Sequence, residues 1–141
     1  MKAIISKTMM FVAISAALLS FSSKPGGEGF EISMNNKVLI QRFGSDINVV
    51  NNLQLSQTAS NDQLIIKYHH CGKVGKNRIV GIKDGQNNLL KEFRYADVSA
   101  PVGAMSLPVK DILGLKKSNQ TLKLFYSSSE LPNGRVLANI N

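Results

Sequence analysis

Three consecutive residues, His69-His70-Cys71, carry the side chains in this chain most able to do chemistry. On a strand, His69 and Cys71 point to one face, and imidazole with thiolate suits zinc or copper. Two ligands do not make a site, so a third must come from elsewhere, with Met105 and Met34 as candidates. The plainer reading is a strand end, with His70 continuing the face of Leu64, Ile66 and Tyr68 and Cys71 as a small buried residue. A thiol nucleophile is disfavoured, because adjacent strand residues face opposite ways and no acid is placed to orient His70.

Gly72-Lys73-Val74-Gly75-Lys76-Asn77-Arg78 has the outline of a phosphate loop but not its pattern. That pattern needs Gly, four residues, then Gly-Lys-Ser/Thr opening a helix. Here His70 stands at the first Gly, Asn77 replaces the hydroxyl residue and a strand pattern follows, so nucleotide binding is excluded. What is left is an anion-contact patch of Lys73, Lys76 and Arg78 on a glycine-containing loop, against the plain alternative of a solvated loop kept soluble by its charge. Glu92 and Asp97 are marked as a carboxylate pair by nothing beyond their acidity, and Ser127-Ser128-Ser129 lacks a strand–elbow–helix context. Asn119-Gln120-Thr121 matches an N-glycosylation acceptor, which has meaning only in a eukaryotic host. Trp is absent, and Tyr68, Phe93, Tyr95, Phe125 and Tyr126 are the only aromatics placed to stack on a sugar. No acid–base–nucleophile set assembles and no cofactor signature is present, so the expectation is a protein that is not an enzyme.

The elements that hold these residues are short alternating runs cut by turn chemistry. Phe30, Ile32 and Met34 alternate up to Asn35-Asn36, and Val38 and Ile40 follow. Asn tolerates positive φ, so Asn35-Asn36 predicts a two-residue hairpin turn. Further strands are expected at Ile47–Leu55, Gln63–Cys71, Arg78–Lys83, Leu89–Tyr95, Thr121–Ser127 and Arg135–Ile140. Gly72–Asn77, Asp84-Gly85 and Glu130–Gly134 serve as connections. Val109, Ile112 and Leu113 break the alternation with helical spacing after Pro108, which predicts one or two helical turns. Turn signals at this spacing predict an all-β antiparallel sandwich of about seven to nine strands with a short helical crossover near residues 109–115.

Ahead of the domain, Lys2 and Lys7 precede the apolar run Met9–Leu19, no acid occurs before Glu28, and Ser20 and Ser22 suit a signal-peptidase site. The run is too short for the ~20 residues of a membrane span. Residues 1–22 are therefore expected to be a signal peptide cleaved after Ser22, residues 23–28 a flexible lead-in and residues 29–141 one domain, periplasmic or extracellular, with no stable membrane insertion. A single cysteine in an exported chain leaves no internal disulfide. The 17 Lys and Arg outnumber the 9 Asp and Glu, and removing Lys2 and Lys7 still leaves an excess of six. That charge favours anionic partners in a general way but is spread along the chain and specifies no nucleic acid.

Phe30-Glu-Ile-Ser-Met-Asn-Asn, Tyr68-His-His-Cys-Gly-Lys, Leu90-Lys-Glu-Phe-Arg, Phe125-Tyr-Ser-Ser and Gly134-Arg-Val-Leu-Ala together resemble small exported bacterial β-sandwich proteins without assigned function. The resemblance spans nearly all of the chain after residue 22, implies the same fold and location, and carries no site with it. The expectation is an exported, non-enzymatic binding or accessory domain for an anionic glycan or a protein. Its alternative is a small copper- or zinc-binding protein using His69 and Cys71.

Overall fold

The computed structural model describes residues 27–141. The proposed signal peptide and most of the lead-in lie outside them. The described residues form an all-β sandwich of nine strands in two mostly antiparallel sheets, with one short α-helix.

Strand β1 (Gly29–Met34) turns back into β2 (Lys37–Phe43) through Asn35 and Asn36, at φ 53° and 62°. Met34 faces Lys37 across this two-residue turn. Two consecutive positive φ angles make the hairpin type whose twist matches that of the strands it joins. A bulge then follows, with Ile32 opposite Ile40 but Ser33 opposite Val38. The extra residue, Leu39, breaks the expected alternation, so Ile40 is buried while Val38 is exposed.

The strand expected over Ile47–Leu55 is largely absent. A 3-10 turn occupies Gly44–Asn48, and only Asn52–Leu53 pair as β3. Gly44, at φ 57°, donates its N–H to the Glu28 carbonyl and directs Ile47 inward as a plug. The Asn51 amide donates to the Leu137 carbonyl, occupying the sheet edge that a longer strand would have used.

Strand β4 (Gln63–His69) alternates as expected, burying Leu64, Ile66 and Tyr68. Strands β5 (Arg78–Lys83) and β6 (Leu89–Tyr95) match their expected bounds. The Asp84 carboxylate shapes the turn between them by accepting the N–H groups of Gln86 and Asn88, each at 2.9 Å. Strand β7 (Met105–Pro108) was not expected; it buries Met105 and Leu107 and stops where Pro108 leads into helix α1 (Val109–Leu115). That helix buries Val109 and Ile112, each worth roughly 1.5–3 kcal/mol on full burial.

Strands β8 (Leu122–Ser128) and β9 (Leu131–Ile140) close the second sheet. Their connection is only Ser129-Glu130, and the expected Pro-Asn-Gly loop is instead a bulge at the start of β9. Gly134, at φ 69°, makes that bulge possible, because a Cβ there would fall inside the Phe125 ring.

One sheet runs β2-β1-β4-β7 and the other β3-β9-β8-β5-β6. Phe30, Ile32, Leu64, Ile66, Met105 and Leu107 of the first meet Val80, Ile82, Leu122, Leu124, Tyr126 and Ile140 of the second, all fully buried. Among the described residues no helix is long and apolar enough to cross a membrane.

Candidate functional site

The histidine–cysteine cluster falls where β4 stops. Strand pairing ends at His69, which lies opposite Gly29 with its ring edge-on to Phe43 at 5.2 Å. The next four residues form a tight turn, with Cys71 at φ 55°, Gly72 at φ 83° and the Lys73 N–H on the His70 carbonyl at 3.1 Å. Cys71 therefore sits at an exposed apex, neither buried nor on a strand face shared with His69. This corrects the geometry on which the His69–Cys71 metal pair was built. Among the described residues, no three His, Cys, Asp or Glu side chains gather to hold a metal ion.

His70 turns the other way and continues the inward face of β4, at 7% exposure. Its Nε2 lies 2.8 Å from the Tyr126 hydroxyl and 3.3 Å from the Ser128 hydroxyl, both on the opposite sheet. The Tyr68 ring packs tilted against the imidazole at 4.7 Å and stacks on Tyr126. At its far end Tyr68 donates a 2.5 Å hydrogen bond to Glu28, which also pairs with Arg135 at 3.3 Å. Burial lowers the His70 pKa and raises those of both tyrosines, so near neutral pH the imidazole is uncharged and the hydroxyls keep their protons. The backbone of Gly75 lies on the imidazole, since a Cβ there would come within 3.1 Å of His70 Cδ2. Covered in this way, the cluster acts as a polar pin between the sheets. Sequence reasoning placed His70 on the correct face but had no signal for its partners, which lie 56 and 58 positions along the chain.

The loop over this pin does not join paired strands. It crosses from β4 in one sheet to β5 in the other, and neighbouring loops hold it. The Lys76 N–H donates to Glu130 Oε2 at 3.0 Å, and its carbonyl accepts the Ser129 N–H at 2.8 Å. Asn77, at φ 52°, donates its N–H to Asp97 Oδ1 and its amide to Ser129 Oγ. Burial would raise the Glu130 pKa, but hydrogen bonds led by the Lys76 N–H outweigh it and hold the carboxyl below its usual range. Asp97 is thus a loop tie, and Glu92 pairs with Arg94 at 2.8 Å. The two acids expected to be unremarkable both have structural partners.

Arg78 does not join Lys73 and Lys76 on the surface. It is 5% exposed, and its guanidinium donates to the carbonyls of Gly103 at 2.8 Å and Ala96 at 2.9 Å. The expected three-cation patch is corrected to two exposed lysines over a buried arginine that organises the 96–104 loop. As the first residue of β5, opposite Tyr95, Arg78 sends its side chain to the inner face. Reading Arg78 as the last residue of the basic loop missed that alternation.

A second surface feature had no sequence signal. Residues Asn48–Asn51 and Val136–Asn139, with Lys123, line a shallow cleft of about 230 Å³ beside the two-residue β3. Its rim exposes Val49, Val136 and above all Val50, at 75%. No protein-family model matches the chain, and no curated protein matches it.

Proposed function

We propose that this chain is an exported, non-enzymatic binding domain that meets an anionic partner through Lys73 and Lys76. One observation carries the reading. The loop from His70 to Asn77 is held by four hydrogen bonds to its backbone and one from the Asn77 side chain, while neither lysine side chain makes an ion pair among the described residues. A fixed loop loses little conformational freedom on binding. The adjacent acids Asp97 and Glu130 are aimed at main-chain N–H groups, not at the ammonium groups. Each exposed pair with a ligand contributes only ~0–1 kcal/mol, so the lysines act together and binding weakens with salt. Export itself rests on the order of basic, apolar and small residues in positions 1–22.

Heparin chromatography of the secreted protein tests the reading. Replacing Lys73 and Lys76 by Ser should lower the eluting salt concentration more than replacing Lys116 and Lys117, a change of equal charge. Equal elution would mean that net charge alone governs binding and that the loop is no site.

A further inference from the structure

Among the described residues, strand β6 is an edge with one neighbour, β5. Exposed edges carry unpaired backbone groups, and proteins usually blunt them with short length, proline, bulges or inward charges. The other three edges here are blunted. Strand β3 has two residues, β7 has four and ends in Pro108, and β2 starts with Lys37 and carries the Leu39 bulge. Strand β6 has seven residues and lacks proline, and its one irregularity lies at its beginning, leaving Lys91–Tyr95 regular. Lys91 does point inward, but its ammonium is held by Asp111 of α1 at 3.1 Å and does not project across the edge.

The inner face at this edge is incompletely covered. Val80 of β5 is fully buried, whereas its partner Phe93 on β6 is only partly so, as is Tyr95 opposite Arg78. On the outer face, Glu92 and Arg94 form a 2.8 Å ion pair, with the Arg94 side chain 74% exposed. We propose that a second copy of this chain pairs antiparallel along β6, with the twofold axis at Phe93. That register sets Glu92 opposite the other copy's Arg94 twice over, so each of four charges has two neighbours of opposite sign. Shifting the axis to Glu92 or Arg94 sets like charges face to face, which is unfavourable across a strand pair. The two five-stranded sheets become one continuous sheet, and the two Phe93 rings meet across the axis.

Sedimentation equilibrium of the secreted protein tests the pairing, with circular dichroism melts confirming that each variant folds. The wild type is expected to be dimeric. Glu92→Arg and Arg94→Glu each set like charges opposite one another and should raise the dimer dissociation constant by about tenfold or more. Combining both substitutions restores the opposite-charge pattern and should restore the dimer. A wild type that is monomeric at every concentration overturns the proposal, including the case in which β6 instead takes a strand from another protein. So does a dimer that survives both single substitutions, or a folded double variant that stays monomeric.

Discussion

Tyr68 of one sheet and Tyr126 of the other stack with their ring centroids 4.3 Å apart and their planes within 18°. Beside them the Tyr126 hydroxyl reaches His70 Nε2. The stacked pair thus combines apolar contact with the polar pin beneath the basic loop.

Tyr126→Phe separates those two contributions. It keeps the ring but leaves His70 Nε2 with Ser128 alone, at 3.3 Å. The expected loss is about 1–2 kcal/mol, the range for removing one buried hydrogen-bond partner. Urea denaturation measures it, and a variant as stable as wild type would mean that the Tyr126–His70 bond contributes nothing net.

Acid should weaken the fold through His70. Burial depresses its folded pKa below the ordinary 6.5, against the pull of Glu130 and Glu28 and with the push of Arg78 and His69; Tyr68 and Tyr126 face it uncharged. The unfolded chain therefore takes up the proton first as pH falls. Stability is whole above about pH 6.5, declines below it by at most ~1.4 kcal/mol per pH unit, and levels off once the folded value is passed. Urea midpoints from pH 7.5 to 5 should show this slope in wild type and a flatter one in His70→Gln; matching slopes would remove His70 as the cause.

Cys71 should react quickly and stoichiometrically with a thiol reagent in the native protein, because it stands exposed at a turn apex. Its φ of 55° sets a second expectation. Cys71→Gly should leave the melting temperature nearly unchanged, whereas Cys71→Val should cost about 1–2 kcal/mol, since β-branched residues resist that conformation. Slow native labelling, or a valine variant equal to wild type, would place the turn elsewhere.

Arg78 should behave as a structural residue. Arg78→Met strands the carbonyls of Ala96 and Gly103 and is expected to destabilise by about 2–4 kcal/mol. On heparin it should elute with Lys110→Met, which removes the same charge elsewhere. Elution well below that control would return Arg78 to the binding surface.

The legible parts of this fold were those decided by neighbouring residues. Asn35-Asn36 specifies its own turn, Leu64-Ile66-Tyr68 alternates without interruption, and Val109 and Ile112 set the helical spacing of α1. Ile47–Leu55 misled because its apolar residues suit a strand, while the glycine at 44 and the Asn51 amide on Leu137 make the 3-10 turn and cap the edge. The Leu39 and Gly134 bulges depend on cross-strand register, which a linear pattern does not record. The same limit applied to the site. The basic loop was recognisable, but the burial of Arg78 and the meeting of His70 with Tyr126 and Ser128 depend on how the two sheets face each other.

Strand β9 lies between β3 and β8 although it is the last of the described elements in chain order. The parallel partners Asn52 and Leu53 wait for Asn139 and Ile140. Pairing across so long a stretch is a slow, high-contact-order step, because loop closure must precede the contacts that reward it. Until residues 131–140 are free to dock, Leu122, Leu124 and Tyr126 lack the flank that β9 provides. A polypeptide still emerging residue by residue would thus remain pliable and open to proteases at this flank until residues 131–140 arrive.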